Sequence, residues 1–166
     1  MRRLSQSQMS AFTLVELVVV VVIIGVMAAV AIPRVSGATS QAAAAKLRAD
    51  LSVLRNAIGH YTAEHMGALP AADDDGATFV KQLTMHTDAL GAVGTTAGVH
   101  IYGPYLFKFP ALSVGPNAGA EGVQIREDGA VHEEKTTVGW IFSRKTGRIF
   151  ANTDDLDSEG VSYNTY

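Results

Sequence analysis

The run from Phe12 to Ile32, "FTLVELVVVVVIIGVMAAVAI", constrains this chain more than any other feature. Glu16 is its one charged residue, and a helix on the surface of a globular domain is rarely apolar on every side for such a length. At ~1.5 Å per residue a helix here would cover roughly the ~30 Å hydrocarbon core of a bilayer. "MRRLSQSQMSA" precedes it, with Arg2 and Arg3 followed by polar or small residues. Three readings meet these facts. The first is a plain signal anchor. The second is a secretory signal peptide cut at Ala31, after "AAVA", releasing a chain that starts at Ile32. The run exceeds the ~7–15 apolar residues usual for such a peptide, and Glu16 lies inside it. The third reading has to explain why a segment that otherwise avoids charge keeps a carboxylate.

"AFTLVELVVVVVIIGVMAAVAIP" closely resembles the N-terminus of type IV pilins and of the pseudopilins of type II secretion, through Phe12, Thr13, Leu14, Glu16, Gly25 and Pro33. The resemblance implies that residues 1–11 are a basic leader, removed by a prepilin peptidase between Ala11 and Phe12, and that the new amine of Phe12 is N-methylated. The family usually has Gly before the cut; Ala11 is also small. The resemblance further implies filament assembly through Phe12 and Glu16, the amine of one subunit meeting the carboxylate of the next. An ionised carboxylate at mid-bilayer costs ~2.5–3.5 kcal/mol on insertion scales, and an amine with a pKa of ~8 is a suitable partner. Desolvation offsets much of the Coulomb gain, so the main benefit is register. Arg34, Lys46 and Arg48 balance the leader's charges, so charge alone does not orient the segment. The resemblance does: it implies a bacterial inner-membrane protein, single pass, with its head in the periplasm.

Beyond Pro33, which should kink a helix, and Gly37, the sequence turns amphipathic. Ala44, Leu47, Leu51, Leu54, Ile58 and Tyr61 recur at spacings of three and four. The stripe predicts a helix packed on its own domain's core, ended by Gly67 and Pro70. One helix over 13–66 would reach roughly 80 Å at ~1.5 Å per residue. The expected organisation is a leader over 1–11, a transmembrane or filament-core helix over 12–33, its amphipathic continuation over 34–66 and a globular α+β head over 67–166.

In the head, Asp75 or a neighbour caps a short helix carrying Phe79, Val80 and Leu83. "YGPYLFKFP" resembles the loop before the sheet in major, G-type pseudopilins. Two antiparallel hairpins follow: "GVQIRE-DG-AVHEEK", turning at Asp128-Gly129, and Val138–Ser143 with Arg148–Asn152. Trp140 reads as core or sheet-edge packing, not as a ligand contact. The whole is expected to be a long N-terminal helix, a membrane spike, with a small antiparallel sheet head.

Near the end, Asp155, Asp157 and Glu159 alternate ahead of Gly160, the opening spacing of a calcium loop without its closing acid. Read from the residues alone, this is a calcium loop or a solvated acidic turn. G-type pseudopilins carry calcium in a loop after the sheet, so the resemblance implies Ca2+ on Asp154, Asp155, Asp157 and Glu159; no other cofactor is expected. The chain has no cysteine, which removes disulfides, thiolate metal sites and a Cys nucleophile. Its formal charge of −3 gives no nucleic-acid surface. "LGAVGTTAG" fits neither the dinucleotide nor the phosphate-loop spacing. The histidines at 60, 65, 86, 100 and 132 have no metal-ligand spacing, and "HEE" at 132–134 reads as strand surface. No enzyme is expected. The implied function is a structural pseudopilin subunit of a short periplasmic filament that supports export of folded proteins. The implied partners are further copies of the chain, other pseudopilins, the prepilin peptidase and an inner-membrane secretion platform. A type IV pilin or minor pilin, for adhesion, motility or DNA uptake, is the nearest alternative. A membrane-tethered ligand-binding domain is the alternative from another class.

Overall fold

A computed structural model of the chain describes residues 12–127 and 137–166, and only the backbone of 30–38. The chain divides into two units, Met1–Thr39 and Ser40–Tyr166. Helix α1, Leu14–Glu64, supplies residues to both, and its assignment runs through Pro33 and Gly37 without a break.

In the first unit the side chains described, up to Ala29, are exposed all round the helix, the larger apolar ones at 47–79%. The expected membrane spike is corrected here. Among the described residues no helix is long and apolar enough to cross a membrane. The transmembrane helix and the single-pass inner-membrane placement with a periplasmic head go with it.

The second unit is built on the far part of α1. Ala44, Leu47, Leu51, Leu54, Ile58 and Tyr61, the stripe read from the sequence, are all buried, and Ala57 joins them. Their period puts them on one face, which shares a single buried core with Phe79 and Leu83 of helix α2 (Gly76–Thr84), with Leu106, Phe109 and Leu112 of the long connection, and with the sheet. The helix stops where Met66 and Gly67 take positive φ, 55° and 88°, and the Gly67 N–H returns to the Thr62 carbonyl at 2.9 Å.

Helix α2, Gly76–Thr84, is capped by Asp75, whose carboxylate accepts from the N–H groups of Ala77 at 3.0 Å and Thr78 at 3.3 Å. Those donors, the Ala77 N–H first, hold the Asp75 carboxyl below the usual carboxylate range. A depressed folded pKa contributes stability above the group's ordinary value, and that contribution is lost as pH falls through the folded value. Asp75→Asn keeps a cap acceptor but does not titrate. Its acid-unfolding curve is therefore expected to fall less steeply below about pH 4 than that of the native chain. Parallel curves in circular dichroism would remove Asp75 from the acid response. Gly76 opens α2 because nothing larger fits: a Cβ there would lie 1.9 Å from the Val123 carbonyl oxygen.

The sheet has three strands in the order β1 (Val123–Arg126), β2 (Trp140–Ser143), β3 (Arg148–Ala151). Strands β2 and β3 form the expected antiparallel hairpin, Trp140 opposite Ala151 and Ser143 opposite Arg148. The expectation of a purely antiparallel sheet fails at β1, which pairs in parallel with β2, Val123 opposite Trp140. Alternation marked the strand, but the partner is set by burial: β2 is buried at all four positions and takes a neighbour on each edge. A parallel neighbour requires a long connection, and residues 127–139 provide it. The Asp128-Gly129 turn and the strand expected beyond it, with His132 to Glu134, lie outside the described residues. The sheet is thus small, open and mixed, in an α+β fold.

Trp140 is fully buried, and its Nε1–H donates to the Pro110 carbonyl at 2.9 Å, as an indole in a core must. His65 is also buried. It stacks on Tyr61 at 3.9 Å between ring centroids, its Nδ1 lies 2.7 Å from the Tyr61 carbonyl, and its Nε2 lies 3.0 Å from Thr87 Oγ1. The imidazole ties α1 to the next loop and is a core residue. Tyr105 closes the same corner by donating to Glu64 at 2.6 Å. Burial first, and then that carboxylate, hold its phenol above the ordinary range.

Candidate assembly site

The start of α1 is a reciprocal cap. Thr13 precedes the helix, and its Oγ1 accepts from the Glu16 N–H at 3.2 Å. The Glu16 carboxylate reaches back and accepts from the Thr13 N–H at 3.0 Å and the Thr13 hydroxyl at 2.8 Å. This is the capping box, Ser or Thr followed three residues later by Glu or Gln. "TLVE" has that spacing, so the signal was in the sequence. Glu16 also stands in the first turn, where the helix dipole favours a negative charge.

The structure therefore brings Phe12, Thr13 and Glu16 to one helix start. Both Thr13 donors go to the same oxygen, Oε2, of Glu16. Phe12 is 76% exposed, and Leu14, Val15 and Leu17 beside it are similarly open. A carboxylate fixed among exposed apolar side chains can recognise one cation while its surroundings bury hydrocarbon. Ala11, on the other side of the expected cut, lies outside the described residues.

The second candidate, the acidic loop, lies in the other unit. An isolated bridge from Leu156 to Ser162 closes it, with the Asp157 N–H bonded to the Val161 carbonyl at 2.8 Å. The four acids do not converge. Asp154, Asp155 and Glu159 are exposed, whereas the Asp157 side chain is only 5% exposed. Asp157 Oδ1 accepts from the N–H groups of Glu159 at 2.8 Å and Val161 at 2.9 Å, and its Oδ2 accepts from the Tyr166 hydroxyl. Arg48 Nη2 is 3.6 Å from the same oxygen. The Tyr166 hydroxyl, followed by the two loop amides, holds the Asp157 carboxyl below its usual range. Among the described residues no group of three or more His, Cys, Asp or Glu could hold a metal ion. The donor set does not fit calcium, because the one sheltered carboxylate is already filled with hydrogen-bond donors. Tyr166 and Arg48, the partners that decide this, had no motif to mark them.

A family model described as "Prokaryotic N-terminal methylation motif" matches residues 7–32. No curated protein matches the chain, and no solved structure does. The chain carries a prepilin-type N-terminal methylation motif, consistent with the broad type IV pilin-like superfamily and not specific to a pseudopilin. Its architecture, an N-terminal helix and an α+β head with a small sheet, is consistent with the pilin superfamily in general.

Proposed function

We propose that the chain is a structural subunit of a pilin-type filament, cut between Ala11 and Phe12 by a prepilin peptidase and assembled through α1. The observation that carries this reading is the methylation motif over residues 7–32, laid on a helix start where Glu16 is fixed among exposed apolar side chains. On this reading the peptidase leaves an N-methylated amine on Phe12, cationic near neutral pH. The amine of one subunit meets the Glu16 carboxylate of the next, and the apolar faces of the two α1 helices cover each other. Burial of apolar area, at ~25 cal/mol per Å², drives the association. The charge pair sets its register, since an unpaired carboxylate among apolar groups is costly and a paired one much less so.

The finer reading is a pseudopilin of a type II secretion system, in a short filament with sister subunits that supports export of folded proteins. The "GPY" loop and the buried β2–β3 hairpin support it. The role is mechanical and no catalysis is proposed. Removing the chain from its host tests the choice of machine. Retention of normally exported proteins with surface fibres intact is the expected result. Loss of fibres, adhesion or motility with export unchanged would replace the pseudopilin by a pilin or minor pilin.

A further inference from the structure

We propose that the acidic loop is closed by a side-chain clasp, Tyr166 to Asp157 with Arg48 beside them, in place of a divalent cation, so that the Ser40–Tyr166 unit folds without metal. The inference rests on the geometry of this loop and stands whether or not the filament reading holds.

Calcium takes about 6–8 oxygen ligands at ~2.3–2.6 Å. The loop has few to give. Both oxygens of Asp157 are engaged, Oδ1 by two backbone N–H groups and Oδ2 by the Tyr166 hydroxyl. The backbone is occupied as well: the Asp155 carbonyl accepts from the Tyr163 N–H at 3.0 Å, the Asp154 carbonyl from the Ser162 hydroxyl at 3.1 Å, and the Asp157 carbonyl from the Gly160 N–H at 3.1 Å. An ion would have to displace the Tyr166 hydroxyl or the loop amides from Asp157 and share carbonyls that already accept a hydrogen bond.

Tyr166 is held from three sides. Its hydroxyl gives its one proton to Asp157 and accepts from Arg48 Nη2 at 2.7 Å, so donor and acceptor are both used. The Arg48 guanidinium also lies over the ring, 4.4 Å from its centroid. The Tyr166 carbonyl accepts from Arg55 Nη2 at 2.5 Å, and its ring meets Tyr163 edge-on at 5.5 Å. Arg48 and Arg55 are two helical turns apart on α1. The clasp thereby fixes the loop to the helix that bears the core stripe. It also puts a guanidinium, itself a cation, against the carboxylate that an incoming ion would need.

Thermal unfolding and calcium titration calorimetry on the full chain, dispersed in detergent, test this. The expected midpoint is the same in chelator and in excess calcium chloride, with no saturable heat of calcium binding. Tyr166→Phe, which removes only the hydroxyl, is expected to lower the midpoint by several degrees in both conditions. A midpoint of the native chain that rises with calcium, or a Tyr166→Phe variant that melts with the native chain, would overturn the clasp. Should Tyr166→Phe not yield folded protein, the calorimetric titration of the native chain decides alone.

Discussion

Glu16→Gln is expected to abolish filament assembly while leaving helix α1 and the head intact. Two explanations of Glu16 meet at this residue, and glutamine separates them. As the closing member of a capping box, Glu16 needs only an acceptor that reaches the Thr13 N–H, and Gln serves in that role. As a docking charge, it must be anionic. If capping were its whole purpose, Glu16→Gln would assemble normally and Glu16→Ala would merely fray the helix start, at a cost of ~0.5–2 kcal/mol. In the proposed filament, the amide leaves the neighbour's Phe12 ammonium without a counter-charge in a largely apolar contact. Breaking a sheltered ion pair from one side costs ~3–5 kcal/mol, or ~10²–10⁴-fold in each subunit addition. That factor recurs at every subunit, so the sedimentable fraction should drop to background. Centrifugation and electron microscopy of sheared material measure it, with circular dichroism confirming the fold. Normal filaments from Glu16→Gln would end the docking role and leave the capping box as the reason for the residue.

The head should be equally sensitive at Trp140. Its indole is fully buried on the central strand, and its N–H satisfies the Pro110 carbonyl. Trp140→Ala removes the largest side chain of the core and orphans that carbonyl, a loss of ~3–5 kcal/mol. Domains of this size have ~5–15 kcal/mol in all, so a large share of the stability goes with one residue. Trp140→Phe keeps most of the ring but still leaves the carbonyl unpaired, and should lose ~1–3 kcal/mol. Denaturant unfolding followed by circular dichroism gives both values. Equal losses would mean that the hydrogen bond matters and the volume does not. Negligible losses would mean that the sheet does not depend on this contact.

Much of the head was legible because its signals are periodic and local. The six stripe residues from Ala44 to Tyr61 recur with the helical repeat, and all are buried. Asp75 is a cap because a short acid before a helical segment can reach the free N–H groups, and it does. The β2–β3 hairpin followed from alternation on both sides of a Gly-containing turn. Pairing across a long connection is another matter. Val123–Arg126 was recognisable as a strand, but nothing local said that Val123 would lie parallel to Trp140. The acidic loop shows the same limit. Three acids at alternate positions suggested a metal, and residues outside that pattern, Arg48 on α1 and Tyr166 beyond the loop, occupy the carboxylate instead. Glu16 stands out in the sequence by its apolar surroundings, and its bond to Thr13 follows from the local Thr-x-x-Glu spacing.

The start of the mature chain is the most direct test of the whole account. Mass spectrometry of the protein isolated from its native host should find it beginning at N-methylated Phe12, with residues 1–11 gone. A chain beginning at Ile32 would mean ordinary signal-peptide cleavage, would remove Phe12 and Glu16 together, and would contradict assembly through α1. An intact Met1 would contradict it as well, since without the new amine on Phe12 the Glu16 carboxylate has no cation to meet.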